Sequence, residues 1–329
     1  MTRISVIIPS NHSHHELIVV VQALCNQTIK PAEIIIIDSS DEQGECPTEL
    51  ITICESNVLQ LIYKKITNAL PGHARNIGLG LAGSELIAFI DVQTIPRAQW
   101  LEISLKLLVN NDIAAVWGKT IFCAETRFER LVRDGFYGTE PRRTLPGTVC
   151  KREVFAKAGQ FVDWVRAGED TEWILRLKLL KIVIVYPPIA TIEYTGLTGL
   201  DMKQILKKWY RNYTTSRELP HFFPQKMLMW LVLYPLIVLS AFNWNYLIAD
   251  WRMDSPLYIG HVTKTVAILP TFFYLSVRGI FLPLSRGVRI GHLLPVRFIA
   301  ITVICFMADV VKFLVFSIPK RKIDISKFD

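Results

Sequence analysis

Residues 33–41 read Glu33-Ile34-Ile35-Ile36-Ile37-Asp38-Ser39-Ser40-Asp41, four consecutive isoleucines that stop at a carboxylate. A short β-branched run bounded by turn residues is the pattern of a strand buried on both faces. Similar runs occur at Ile4-Ser-Val-Ile-Ile8, stopped by Pro9, and at Leu86-Ile-Ala-Phe-Ile90, which ends at Asp91. Asp38 and Asp91 are therefore expected at the carboxyl ends of strands, where open α/β sheets collect their ligands.

The connecting segments have a different period. Leu17, Val20, Val21 and Leu24 recur at helical spacing within residues 16–27, and residues 73–82 form a second helical stretch. Alternating strand and helix predicts an α/β fold whose sheet is mainly parallel and covered on both faces. Further on, Gly168-Glu169-Asp170-Thr171-Glu172 precedes Trp173, Ile174, Leu177 and Leu180, again at helical spacing. Asp170 is thus expected at a loop-to-helix junction, presented toward a cleft; an Asp at such a place also serves as a helix cap.

In order and spacing, these pieces resemble the family-2 inverting glycosyltransferases. The matching residues are Val6-Ile-Ile-Pro9, the stretch from Gln27 through Glu33 to Asp38 and Asp41, and Ala74-Arg75-Asn76-Ile77-Gly78. To these are added Asp91 at the DxD position, Pro96 with Trp100-Leu101, and Gly168-Glu169-Asp170 with Arg176. The resemblance covers about residues 1–215 and implies the GT-A fold, a Rossmann-like mixed sheet. It implies a nucleotide-sugar donor held by Pro9, Asp38, Asp41, Arg75, Asp91 and Gln93, with Asp170 as the base and Glu169 and Arg176 in support. Asn76 and Gly78 fit a backbone that approaches a ligand closely. Asp38 and Asp41 equally suit a plain turn, because Asp side chains bond their own backbone.

Sugar transfer agrees with these residue types. Expelling a nucleoside diphosphate builds negative charge on phosphate, and the acceptor hydroxyl must lose a proton to a base. One position departs from the family pattern, since the chain reads Asp91-Val92-Gln93 where relatives have a second carboxylate. An amide oxygen is a weaker ligand than a carboxylate for a hard cation, so the requirement for Mg²⁺ or Mn²⁺ at Asp91, with Gln93 as a neutral ligand, stays open.

The last third of the chain is of another kind. Met227–Ala249 contains no Asp, Glu, Lys or Arg and is long enough to cross about 30 Å of hydrocarbon. Leu257–Leu284 forms a second apolar stretch interrupted by Lys264 and Arg278, and Phe298–Ile318 a third, with Asp309 and Lys312 spaced to pair on one helical face. Before them, residues 202–213 interleave Lys203, Lys207, Lys208 and Arg211 with Trp209 and Tyr210, the pattern of a helix lying along a membrane surface with its aromatics at headgroup level. Gln204-Ile-Leu-Lys-Lys-Trp209 loosely echoes the QxxRW motif of processive relatives but lacks its Arg, which argues against a polymer synthase. The expected organisation is a catalytic domain over 1–200, an interfacial helix and linker over 201–224, and two or three transmembrane helices over 225–329. Basic residues 203–217 place the catalytic domain on the cytoplasmic face. Three full crossings would then put Lys320-Arg321-Lys322 on the opposite side, against the charge rule.

Composition sets limits. A net charge of +8 without a nucleic-acid motif suits membrane lipids rather than nucleic acid as partner. Six scattered cysteines without a CxxC pair exclude a zinc or disulfide framework. The expected function is transfer of a sugar from a UDP-sugar to a lipid-linked acceptor of surface polysaccharide or glycoconjugate synthesis. The alternatives are transfer to a polyprenyl phosphate itself and a non-catalytic scaffold with a degenerate site.

Overall fold

The computed structural model describes residues 3–40, 45–219, 243, 245–246, 252–258 and 262–317. Asp41, nearly all of the expected span Met227–Ala249, and Lys320-Arg321-Lys322 lie outside the described residues. The chain packs as two units, one of residues 1–129 and 139–200, the other of residues 130–138 and 201–329.

The first unit is built on a sheet of nine strands among the described residues, ordered β3-β2-β1-β4-β7-β6-β9-β5, with β8 also pairing β6. The strands are β1 (Ile4–Ser10), β2 (Glu33–Asp38), β3 (Gln60–Lys65), β4 (Leu86–Phe89), β5 (Thr94–Pro96), β6 (Ala115–Phe122), β7 (Arg142–Lys151), β8 (Ile184–Val185) and β9 (Ile192–Tyr194). The isoleucine run is buried on both faces. Ile34 and Ile36 join one core with helix α1 (His14–Cys25), helix α2 (Thr48–Ser56) and helix α4 (Trp100–Leu108). Ile35 and Ile37 join a second core with helix α3 (Pro71–Leu81), helix α6 (Glu153–Ala158) and helix α7 (Glu169–Leu179). A polar residue at any of these four positions would lose its water on either face, which is why the run is continuous rather than alternating.

The expected mainly parallel pairing is present among β1 to β4 and again where β6 pairs with β8 and β9. β7 runs antiparallel to both β4 and β6, so the sheet is mixed. β6 returns directly into β7 after helix α5 (Arg127–Phe136), and the reversal brings the two strands together with a register shift between Val116 and Gly118.

In the second unit, helix α8 (Met202–Ser216) begins at a capping box, Asp201 accepting the Gln204 amide at 2.7 Å while the Gln204 side chain accepts the Asp201 N–H. Its Ile205 and Trp209 are buried, and the Trp209 ring lies 4.3 Å from Phe136. Trp209 is therefore core rather than headgroup-facing, because the protein's own apolar surface already covers it; Tyr210 is exposed. Helix α9 (Val262–Ser276) runs on through a π-helical turn, Val277–Phe281, and helix α10 (Arg297–Ser317) follows. Leu131 and Phe136 pack on Val288, Leu293, Ile301 and Cys305.

Asp309 does not take Lys312 as its partner. It accepts both the Nε and Nη2 donors of Arg278 and the hydroxyl of Tyr274 at 2.8 Å, while the Lys312 ammonium sits 5.5 Å over the Tyr213 ring. The planar guanidinium reaches both carboxylate oxygens from the neighbouring helix, which a point-charge ammonium three residues away cannot do. Among the described residues, one helix, Arg297–Phe316, is long and apolar enough to cross a membrane, with mean hydropathy 2.4; Leu269–Leu284 is a shorter apolar helix.

The irregular β6–β7 pairing yields a test. A Cβ on Gly118 would lie 2.0 Å from the Pro146 carbonyl oxygen and 2.7 Å from that of Thr144, both backbone atoms, whereas a Cβ on Gly80 of α3 meets nothing within 4 Å. Gly118→Ala should lower stability by about 1–3 kcal/mol, and Gly80→Ala should raise it by up to about 1 kcal/mol, read as unfolding midpoints in denaturant.

Candidate active site

The carboxyl ends of the parallel strands carry the first group of residues. β1 and β2 are in register Pro9↔Ile37 and Ser10↔Asp38, so Pro9 and Asp38 end side by side. The loops beyond are laced together: the Ser39 amide and hydroxyl both donate to the Ser10 carbonyl, at 2.9 and 2.8 Å, and the Asn11 amide donates to the Ser39 carbonyl. Asp38 is buried and accepts the Ser40 N–H at 3.0 Å, the Ser40 hydroxyl at 2.8 Å and the Tyr63 hydroxyl at 2.6 Å. Burial raises its pKa, but the hydrogen bonds from Tyr63 and Ser40 and the charge of Lys65 outweigh that, holding the carboxyl below its ordinary value. Asp38 is thus an ionised acceptor.

Arg75 links the other acidic residues. It lies on α3, 3% exposed; its Nη2 donates to Asp91 Oδ1 at 2.8 Å and its Nη1 to Glu169 Oε1 at 2.6 Å. The guanidinium stands 5.8 Å from the Phe161 ring centroid, and its Nε makes no hydrogen bond. With one hydrogen bond from each Nη and almost no exposure, Arg75 braces the two acidic side chains. Its pKa is raised, the charges of Asp91 and Glu169 overcoming burial. For Glu169 burial dominates, pushing the carboxyl up to about 7 against the pull of Arg75, with Asp170 adding to the rise.

Asp170 follows at the start of α7, behind Gly168, whose φ of 96° suits glycine. It is half-buried, and its Oδ1 accepts the Thr171 N–H at 2.7 Å; the N-cap position is Gly168, so Asp170 does not serve as the helix cap. Asp91 sits just past β4 in a turn closed by Thr94, whose hydroxyl donates to the Asp91 carbonyl at 2.6 Å. Its side chain stays 35% exposed.

Two sequence expectations take a different place. Asn76 does not face a ligand: its amide donates to the Phe161 carbonyl at 2.8 Å and its oxygen accepts the Phe161 N–H at 3.0 Å. Gly78 is small because a Cβ there would lie 2.5 Å from Cγ2 of Ile7, where α3 packs on β1. Arg176 grips Glu172 with two donors at 2.7 Å and also donates to the carbonyls of Ala158 and Gln160. Asn76, Arg176 and the Trp173 indole, which donates to Gly159, together pin residues 158–161 under the start of α7. Tyr63 was not anticipated from sequence. Its signal is the register Ile36↔Tyr63, visible only once the short, Lys-ended segment 60–65 is recognised as the strand beside β2.

The DxD position has one carboxylate, Asp91, with Oδ1 paired to Arg75. Gln93 Oε1 accepts the Tyr194 hydroxyl at 3.1 Å, and among the described residues no three His, Cys, Asp or Glu side chains group to hold a metal. A single carboxylate with a neutral amide beside it fits a Mg²⁺ or Mn²⁺ only if substrate oxygens supply the other ligands; Asp91 would be the residue that holds it.

Residues 5–162 match the family model described as Glycosyl transferase family 2. Over this segment, just under half of the chain, the sequence is similar to the family-2 glycosyltransferases. The chain is 25% identical over 219 residues to a pre-mycofactocin glycosyltransferase of Mycobacterium tuberculosis, covering 58% of this chain and 45% of the relative. It is 25% identical over 115 residues to the UDP-Glc:alpha-D-GlcNAc-diphosphoundecaprenol beta-1,3-glucosyltransferase of Escherichia coli, covering 35% and 44%. The chain thus spans less than half the length of these relatives. Among solved structures, the mannosyltransferase PcManGT of Pyrobaculum calidifontis, in complex with GDP-Man and Mn²⁺, superposes with a TM-score of 0.55 at 16% identity, over 96% of this chain and 88% of that one. The fold is GT-A-like.

The glycosyltransferase domain carries a buried carboxylate that titrates near neutrality. Because the folded Glu169 holds its proton up to about pH 7, above its ordinary 4.5, its contribution to stability is full below pH 4.5 and lost as pH rises through about 7. Glu169→Gln should flatten that segment of the stability-against-pH curve, read by denaturant unfolding at a series of pH values; an unchanged curve would show that Glu169 stays ionised against Arg75.

Proposed function

We propose that the protein is a membrane-associated, inverting glycosyltransferase that moves one sugar from a UDP-sugar to a lipid-linked acceptor in surface polysaccharide or glycoconjugate synthesis. The observation that supports this most is Arg75, which ties the carboxylate at the strand end, Asp91, to the residue beside the base, Asp170. Donor site and base are thereby fixed relative to one another, as an in-line displacement needs.

In this reading Asp38 receives the base of the nucleotide. An ionised carboxylate only accepts hydrogen bonds, so it favours the N–H edge of uracil or guanine over the acceptor nitrogen that cytosine or adenine presents. The relative named for UDP-Glc tips the choice to uracil. Asp170 takes the proton from the acceptor hydroxyl as that oxygen attacks the anomeric carbon opposite the leaving diphosphate, and the configuration inverts. Asp91 would hold the divalent cation, with the Gln93 amide oxygen beside it; such a cation neutralises charge on the departing phosphates. The lipid-linked acceptor is supported by the diphosphoundecaprenol in the name of the same relative and by the apolar second unit. The catalytic domain then sits on the cytoplasmic face of the cell membrane, where nucleotide sugars are made.

Full-length protein in membranes, given a panel of UDP- and GDP-sugars with a polyprenyl-diphosphate saccharide, should transfer from a UDP-sugar. Asp170→Asn should lower the rate about 10²–10⁴-fold while UDP binding stays within a few-fold. Near wild-type turnover in that variant would remove Asp170 as base, and UDP binding without transfer from any donor would favour a non-catalytic scaffold.

The metal is tested separately. Asp91→Ala should lose donor binding, and Gln93→Asp should keep or strengthen dependence on Mn²⁺ or Mg²⁺ in chelator titrations. Full activity in chelator together with a silent Asp91→Ala would leave the site without a cation.

A further inference from the structure

Helix α10 is long enough to cross a bilayer, yet one face of it is covered by protein along its length. At its start Arg297 pairs with the buried Asp134 at 3.4 Å. One and two turns on, Ile301 and Cys305 lie so close to Gly135 that a Cβ there would be 3.2 and 3.1 Å away. Further along, Lys312 stands over Tyr213 of α8, and at the far end the Val315 carbonyl accepts Nη1 of Arg217 at 2.6 Å, which itself pairs with Glu218. From residue 297 to residue 315 is about 27 Å of helix. Were α10 a span, α8, which carries Lys203, Lys207, Lys208 and Arg211, would have to follow it through the hydrocarbon, at about 2.5–3.5 kcal/mol for each charge at the centre.

The opposite face is apolar and open. Ile299, Val303, Phe306 and Leu314 form a stripe at helical spacing, each between 43% and 53% exposed, and Phe272 and Phe273 of α9 are more exposed still. Basic residues Arg289 and Arg297 stand at the α10 entry, with Arg289 exposed. A helix with one face packed on a helix that carries four basic residues, the other apolar and cations at its margin suits placement in the plane of a membrane.

We infer that α10 does not cross the membrane but lies in the plane of one leaflet, its Ile299–Leu314 stripe in the acyl chains beneath anionic headgroups and its other face on α8. The inference rests on the membrane reading above. If the apolar stretches 227–249 and 257–284 both cross, it also removes the charge conflict in the sequence, because no crossing then separates the basic residues 286–297 from Lys320-Arg321-Lys322.

The test is depth. Val303 and Leu314 are both exposed and are separated by about 16 Å of helix rise. In full-length protein with the two partly exposed native thiols replaced, Cys46→Ser and Cys123→Ser, spin labels are attached at Val303→Cys or Leu314→Cys. The protein is then reconstituted in vesicles of phosphatidylglycerol and phosphatidylethanolamine. In-plane placement gives both labels nearly the same depth, about 5–10 Å below the headgroups, by oxygen and nickel-chelate accessibility. A depth difference above about 10 Å overturns the inference, and so do two water-exposed labels on protein that still floats with the vesicles. Protein that does not float at all overturns the membrane reading itself. Independently, in sealed vesicles with the cytoplasmic face outward, added protease should remove a tag placed after Asp329 together with the catalytic domain; a protected tag would mean that α10 spans.

Discussion

The buried guanidinium of Arg75 is the constraint on which the candidate site depends. A charge at 3% exposure is tolerable only when neutralised, and here two carboxylates share it, one from the turn after β4 and one from the start of α7. Removing either partner from such a group costs on the order of 3–5 kcal/mol, so the two loops are fixed by the same electrostatic requirement. The aromatic floor serves the same end. Phe161 lies under Arg75 and packs edge-on against Phe89 at 5.3 Å, while Phe155 stacks on Trp173 at 4.9 Å. The low-dielectric surroundings strengthen the ion pairs that close over them.

Asp38 is organised on a different principle. Its hydrogen bonds come from neutral donors on Ser40 and on the neighbouring strand, with the charge of Lys65 a smaller contribution. That leaves an anion whose directional hydrogen bonds are already assigned on the protein side, whereas Asp91 and Glu169 meet the charge of Arg75.

Much of this was legible in the sequence because its determinants are local. The isoleucine run names a doubly buried strand, and an Asp at its end needs no further information to be placed. The glycine-acid-acid run before an apolar helical stretch likewise locates Asp170 at the start of α7. What escaped depends on pairing between distant segments. The strand 60–65 has too little apolar content to announce itself, so Tyr63 could not be seen beside Asp38. Nothing in Ala74-Arg75-Asn76 distinguishes an arginine that reaches a ligand from one that bridges Asp91 and Glu169, sixteen and ninety-four residues away. Asn76 and Gly78 read as ligand-facing and are packing residues, since small and amide side chains serve both purposes. Lys312 looked like the partner of Asp309 by helical spacing, but an arginine on another helix offered the better fork.

Residues 130–138 lie in the middle of the catalytic sequence yet pack with the C-terminal unit, where Leu131 and Phe136 meet Ile301 and Cys305. During synthesis this segment emerges long before its partners: the ribosome must add some 160 more residues, which at about 5–20 residues per second takes roughly ten to thirty seconds. Throughout that interval the nascent chain displays Leu131 and Phe136 with no folded surface to receive them. A chain released early would keep those side chains uncovered, a handle for chaperones or for aggregation.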